Sequence, residues 1–478
     1  MTRQNKLAEL GKRARAGIDL IYRRPDWVRP SQADLDVAII GGGQSGVGLA
    51  FALRQAGISR VHVYDAAPVG QAGVWATTAR MESLRTEKSI SALDQGIAEL
   101  SFRNWFDTLE GRGAFDAMTR IPRLVWADYL QWLQSAMGVE VQYESRLVDI
   151  RPDVAGVALR FLARGVERNL TARRLVLATG VDGLGAPFVP EAIVTALPKS
   201  HYGHTADPLD IAALKGRRVI VVGAASSAFD AVASALEAGA REVHLLARSQ
   251  TLATVPPSAL AKHPALYRPF RRFPDALKWK IISEGRARGH APPATVERAR
   301  RHGNFHLHQG VSLDKLRFSA GEIRIDLPDG AIIADYVIAG TGYQTDIRKR
   351  PELHAIEPHL RLWRDALGSV AARSEWGLFP YLDADLAFQS CTVAGDWIAR
   401  IHAFNYSAVL SHGYHVGDIG SHADCVARLV EGVSDRLFAE EASDHLSDVG
   451  HGASSEFTHP SFHPTTPSAR AGLVARRG

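Results

Sequence analysis

A chain of 478 residues is long enough for two or three domains with cores of their own, and 46% hydrophobic with 22% charged residues describes an ordinary globular protein. The formal net charge of +5, with basic and acidic residues interleaved, suits small anionic ligands and argues against nucleic acid. Two cysteines, Cys391 and Cys425, exclude a disulfide framework, and neither a bilayer-long apolar run nor a signal-peptide core is present, so the expected setting is the cytoplasm with no membrane span.

The first segment, MTRQNKLAELGKRARAGIDLIYRR, sets Leu7, Leu10, Ile18 and Ile21 among positive charges. It predicts an amphipathic helix lying on the protein's own surface, within a basic extension over residues 1–34. The segment after it reads strand, turn, helix, strand: DVAII, GGGQSG, VGLAFALRQAG, VHVYD. Gly41, Gly43 and Gly46 form G-x-G-x-x-G, giving a tight turn, an approach for pyrophosphate and close helix packing. The helix start offers free N–H groups to the phosphates, and Asp65 ends the second strand where a carboxylate accepts from ribose hydroxyls. This suits a permanently held dinucleotide with free ribose hydroxyls, read here as FAD.

RRLVLATGVDGLGAPFVP closes that portion with a buried strand and a Gly/Pro-rich exit, and a second unit of the same plan follows: RRVIVV, GAASSA, FDAVASALEAGA, REVHLLAR. Its turn keeps Gly223 but has Ala225 and Ala228 in place of the other glycines; Ser226 and Ser227 add hydroxyls at the helix start. Arg248 stands where the first unit has its acid, and an arginine there can clasp the 2′-phosphate of NADPH. Residues 255–310, rich in Pro, Arg and His, predict a helical excursion. ADYVIAGTGYQT then repeats the strand exit at Gly340, Thr341 and Gly342. A chain that leaves at ATG and returns at GTG is most simply two dinucleotide-binding domains of α/β, Rossmann-like, three-layer ββα architecture, the NADPH domain inserted into the FAD domain. The boundaries read 35–190 and 335–438 for FAD, the latter with C-terminal helices, and 191–334 for NADPH.

CTVAGD reads as strand-like, ending at Gly395 and Asp396, and IHAFNYSAVLSHG as a helix with His402 and Asn405 on one face. From about Ala439 the pattern dissolves, predicting a polar tail over 439–478. Nowhere do the 19 histidines show metal-ligand spacing with carboxylates, so no metal site is expected. Two dinucleotides in one chain imply hydride transfer from NADPH to FAD. No cysteine precedes Cys391, which removes the redox pair of a disulfide reductase and leaves dioxygen or a partner as acceptor.

GGGQSG, GVW at Gly73 to Trp75, LRTEK at Leu84 to Lys88, HTADPLD from His204, VVGAASSA and AGTGY together resemble the class B flavin-dependent monooxygenases over roughly residues 35–435. The resemblance implies reduction of FAD by NADPH, reaction with dioxygen to a flavin hydroperoxide, and transfer of one oxygen to a small organic substrate. It implies that Trp75 lies along the flavin and that Thr341 to Tyr343 close the inserted domain onto the FAD domain. GD at Gly395 and Asp396 resembles the flavin-contacting GD of related two-dinucleotide reductases. Arg85 and Lys88 are candidates to anchor an acidic substrate or a phosphate, Asn405 to hold NADP or the oxygenating group, and His402 to manage a proton. SHYGHTAD lacks the F-x-G-x-x-x-H spacing of the Baeyer–Villiger fingerprint, so N- or S-oxidation is favoured. Baeyer–Villiger insertion and an NADPH-dependent flavin reductase or oxidase remain the alternatives, and a homodimer is left open.

Overall fold

The computed structural model describes residues 2–21, 23–90, 93–253, 268–285, 289–328, 330–413 and 416–451. The chain divides into a unit Met1–Val433 and a unit Ser434–Gly478. The first opens with the expected helix, Arg3–Leu20, whose Leu10, Gly11 and Ala14 are buried. It lies against helices Phe102–Glu110 and Arg123–Ala136. Lys6 donates to the Leu109 carbonyl at 2.8 Å and Trp132 Nε1 to the Leu7 carbonyl at 3.3 Å. Of the expected stripe, Leu10 is buried and Leu7 and Ile18 are half-buried against the protein itself, while Ile21, just past the helix, stays exposed.

In chain order the first strands are β1 (Leu35–Ile40), β2 (Val61–Tyr64), β3 (Val141–Gln142), β4 (Ser145–Asp153), β5 (Gly156–Ala163) and β6 (Val166–Gly180). They form one sheet in the order β3-β2-β1-β6-β5-β4. Its β3-β2-β1-β6 half is parallel and apolar on both faces: Val37, Ile39, Val63, Val176 and Leu177 are all buried. Strands β4 and β5 add antiparallel to β6.

The chain then makes β7 (Gly185–Pro187), β8 (Tyr202–His204), β9 (Arg218–Val222), β10 (Glu242–Ala247), β11 (Phe305–Gln309), β12 (Leu316–Ser319), β13 (Glu322–Leu327), β14 (Gly330–Ala334), β15 (Tyr336–Ala339), β16 (Tyr343–Thr345) and β17 (Ile401–Asn405). The order β11-β10-β9-β15-β8 is a second, wholly parallel sheet. Helices Ser226–Glu237 and Pro293–Arg300 cover one face through Phe229, Val232 and Ala299. The antiparallel β12-β13-β14 covers the other through Ile323 and Ile325. This is the three-layer arrangement read from the sequence, inserted between β6 and β17.

Two local readings are corrected. Ile401–Asn405 is not helical: it is β17, added parallel to β6, while Val393–Arg400 before it is a 3₁₀ stretch rather than a strand. A segment of five buried residues beside the open edge of β6 gains a ladder that a helix would forfeit. The polar tail also begins later than expected, because helix His422–His451 runs on past Ala439. No proline interrupts it, and within the second unit His445 and Glu441 pair at 3.1 Å one turn apart. The rest of the expected tail, 452–478, and parts of the expected excursion, 255–267 and 286–288, lie outside the described residues.

Candidate cofactor and substrate site

The first glycine turn separates two demands. Gly41 has φ of +117°, and a Cβ on it would stand 2.3 Å from the Ala178 carbonyl oxygen of β6. A Cβ on Gly46 would reach 1.9 Å from the Gly41 carbonyl oxygen. Those glycines serve the packing of helix Gln44–Gln55 on the sheet. At Gly43 a Cβ would meet Gly73 alone, at 3.6 Å. Protein packing does not require a glycine there, and the cradle lies open beside a helix start with no side-chain cap. A pyrophosphate fits that space and those N–H groups. Asp65 stiffens the turn, Oδ2 accepting from Gly42 N–H and Oδ1 from Ala67 N–H, both at 2.7 Å. A carboxylate has about four acceptor positions, so capacity remains for ribose hydroxyls. Trp75 Nε1 donates to Gln44 Oε1 at 2.9 Å, and Gln44 Nε2 to the Gly417 carbonyl at 2.8 Å. Gln44 is an anchor the sequence reading missed, although it is an unassigned position of the glycine motif itself.

In the second turn Gly223, φ +144°, has the role of Gly41, with the Gly340 carbonyl oxygen 2.3 Å from a hypothetical Cβ. The two alanines are explained by their neighbours. A Cβ on Gly289 would meet the Ala225 methyl at 2.7 Å, and one on Gly340 the Ala228 methyl at 2.7 Å. The glycines have moved to the segments facing the turn. Helix Ser226–Glu237 again starts without a side-chain cap. Ser226 differs from expectation: its hydroxyl donates to the His290 carbonyl at 2.9 Å, so it ties down the covering segment. Ser227 is half-buried, and Arg248 is exposed just past β10 with no ion-pair partner among the described residues.

The remaining candidates scatter. Arg85 forms an ion pair with Asp230, a carboxylate on the first turns of the helix that follows the second glycine motif, and Arg298 approaches the same carboxylate at 3.7 Å. Burial pushes the Asp230 carboxyl up, against the pull of Arg85 and Arg298. Lys88 donates to the carbonyls of Phe115, Asp116 and Met118 at 2.7, 3.0 and 2.6 Å, a loop staple. Thr341 donates to the Phe188 carbonyl, Gly342 accepts from Phe188 N–H at 2.9 Å, and β16 pairs with β7, so this return strand closes on the exit strand. His402 and Asn405, expected on one helix face, are fully buried in β17. His402 Nδ1 donates to the Asp385 carbonyl at 3.0 Å; Asn405 Nδ2 donates to the Leu177 carbonyl at 2.9 Å and its Oδ1 accepts from Ser407 N–H at 3.1 Å. Asp396 is exposed in the 3₁₀ stretch, and its side chain has no hydrogen-bond or ion-pair partner among the described residues.

What the sequence reading missed is a cleft of about 490 Å³ between the two sheets' segments, lined by Arg80, Glu82, Arg123, Ser234 and Arg298. Arg80 donates to the carbonyls of Thr205 and Asp207, and Arg298 to the Arg80 carbonyl at 2.7 Å while pairing with Glu237. Arg123 donates to the carbonyls of Trp75 and Met81. Burial, then the charge of Arg298, pulls the Arg123 guanidinium below its ordinary value. The cleft is therefore joined through Arg123, Trp75 and Gln44 to the first glycine turn. The buried Asp230 in VIVVGAASSAFD, a lone charge in an apolar helical run, was the visible signal of this interdomain cluster.

A family model described as FAD-NAD(P)-binding matches residues 38–182. One described as L-lysine 6-monooxygenase/L-ornithine 5-monooxygenase matches residues 113–293. The chain is 36% identical over 426 residues, 87% of its length and 89% of the relative's, to the FAD-dependent urate hydroxylase of Xanthomonas campestris pv. campestris. Among solved structures it is similar in fold to ornithine hydroxylase from Pseudomonas aeruginosa, with a TM-score of 0.67 at 17% identity over 84% of this chain and 99% of that one. It is likewise similar to an ornithine N-hydroxylase of Kutzneria described with reduced FAD, NADP+ and L-ornithine, with a TM-score of 0.65 at 17% identity over 85% and 100%. With two glycine turns of this build and a relative this similar over most of its length, the chain belongs to the class B flavin-dependent monooxygenases, which use FAD, NADPH and dioxygen.

Proposed function

We propose that this monooxygenase hydroxylates a planar, anionic nitrogen heterocycle of the urate kind. The observation that carries the reading is the guanidinium lining of the cleft: Arg80 and Arg123, which are held by backbone carbonyls, and Arg298, which is paired with Glu237, stand with a single lining carboxylate, Glu82. Like charges crowded in a partly buried space disfavour a cationic guest and welcome an anion. The urate hydroxylase relative supports the same class.

In this account Gly43 and the start of helix Gln44–Gln55 receive the FAD pyrophosphate, with Asp65 on the ribose. Gly223 and the start of helix Ser226–Glu237 receive that of NADPH, with Arg248 at the 2′-phosphate. FAD, once reduced by NADPH, supplies the activation of dioxygen. The protein's part is to position and to shield. Arg123, held by the carbonyls of Trp75 and Met81, presents its remaining N–H groups to the anion. Leu124 and Leu209 add apolar surface to the wall of the cleft. Arg80 and Arg298 join the nucleotide segments across the cleft, so substrate and reductant sites keep one geometry.

The match of residues 113–293 to the lysine and ornithine monooxygenase model favours a second reading, N-hydroxylation of a basic amino acid. NADPH oxidation and product formation measured with urate, L-ornithine and L-lysine separate the two. Coupled turnover of urate, weakened roughly ten- to a hundred-fold by Arg123→Met, is the expected result. Hydroxylamine formation from ornithine or lysine with no product from urate would replace the proposal by the second reading.

A further inference from the structure

The register of β10 against β11 assembles a cluster that the linear sequence conceals. Glu242 and His244 are two apart on β10, His306 and His308 two apart on β11, and His244 lies directly opposite His306. All four side chains therefore stand on one face of the sheet. One ligand atom each of Glu242, His244 and His306 lies within 4.8 Å of the others. The His244 and His306 rings stack with centroids 4.7 Å apart.

His308 completes the set in a different role. Its Nε2 lies 3.0 Å from His244 Nδ1, a hydrogen bond that, with the proton on His244 Nδ1, leaves a lone pair on His244 Nε2. That atom stands 3.8 Å from Glu242 Oε2, too far for a hydrogen bond. The separation approaches that of two ligands sharing one ion, since bonds of about 2.0–2.2 Å at a tetrahedral centre hold their atoms roughly 3.3–3.5 Å apart. A ligating imidazole is ordinarily held through its second nitrogen, and His308 does this for His244.

We infer that Glu242, His244 and His306 form a divalent-cation site of the zinc class, with His308 orienting His244. Two imidazoles and one carboxylate suit Zn2+ rather than Mg2+ or Ca2+, which take oxygen sets. The site lies on the outer strands of the nucleotide sheet, where β11 is the edge. β11 directly follows helix Pro293–Arg300, which carries Arg298 to the cleft, so an ion bridging β10 and β11 pins the edge strand and steadies that helix. The inference is independent of the substrate reading.

The test titrates full-length, FAD-loaded protein, previously stripped with a chelator, with Zn2+ against a chromogenic competitor. One Zn2+ per chain at micromolar affinity or better is expected, with a rise in unfolding temperature on binding. His306 is exposed, so His306→Ala should leave FAD content and metal-free unfolding unchanged while weakening Zn2+ at least about ten-fold. Glu242→Gln should do the same, and His308→Ala should weaken binding less than His306→Ala. Absence of Zn2+ uptake, or equal uptake by the parent, His306→Ala and Glu242→Gln, would overturn the site.

Discussion

Gly43 and Gly46 share a motif but answer to different neighbours, and substitution separates them. A methyl on Gly43 stays clear of backbone, with Gly73 at 3.6 Å, whereas one on Gly46 would strike the Gly41 carbonyl at 1.9 Å. Gly43→Ala should therefore fold with the thermal stability of the parent apoprotein yet purify with much less flavin. Gly46→Ala should lose folded protein altogether. Both are read from the flavin-to-protein absorbance ratio and thermal unfolding; a fully yellow Gly43→Ala protein would contradict the placement of FAD. A second residue carries a pH signature. His412 is buried, its Nε2 3.0 Å from the Asp383 carbonyl and its Nδ1 3.1 Å from Arg428 Nη1. A carbonyl only accepts and a guanidinium only donates, which leaves the neutral Nε2–H tautomer. Burial, then Arg428, lowers His412 from 6.5 to about 3. As pH falls through 6.5 the unfolded chain takes a proton that the folded chain refuses until about pH 3. Stability should drop by about 1.4 kcal/mol per pH unit across that window. His412→Gln offers a donor and an acceptor without a titration. Urea unfolding followed from about pH 7 to about pH 5 should show a shallower loss for the variant; identical slopes would exclude His412 as a source.

At the scale of elements, both βαβ units were legible because each writes its own signature: an apolar strand, a glycine at the turn, a helical stripe and a charged residue at the end of the second strand. Arg248 holds that terminal position after β10, exposed and without an ion-pair partner among the described residues. Arg248→Ala should weaken NADPH roughly ten- to a hundred-fold and leave NADH nearly unchanged, as charge-assisted hydrogen bonds to one phosphate are lost. Rates of flavin reduction against the concentration of each nucleotide decide it, and an equal loss for both would move Arg248 away from the 2′-phosphate. The segments that misled were those whose state is set by a distant partner. Ile401–Asn405 becomes a strand only because β6 leaves an edge for it, and His402 and Asn405 are thereby drawn into the core. The Glu242, His244 and His306 cluster and the arginine cleft depend on residues far apart in sequence, so no local spacing announces them. Ser226 and Lys88 have the right chemistry for ligands but are consumed by carbonyls that the fold brings to them.

For the whole molecule, two nucleotide sheets are joined by arginines that reach across to backbone carbonyls, and the candidate substrate cleft lies among those arginines. Among the described residues no helix is long and apolar enough to cross a membrane. In the proposed reading the reductant, the flavin and the substrate meet at this cleft, so oxygen insertion should be coupled to nicotinamide oxidation. The direct measurement is turnover of urate with NADPH under 18O2, with NADPH loss, dioxygen uptake and product mass followed together. One labelled oxygen per product, with NADPH and dioxygen consumed in equal amounts and little hydrogen peroxide, is the predicted result. Peroxide matching NADPH with no label in any product would show an oxidase and contradict the account.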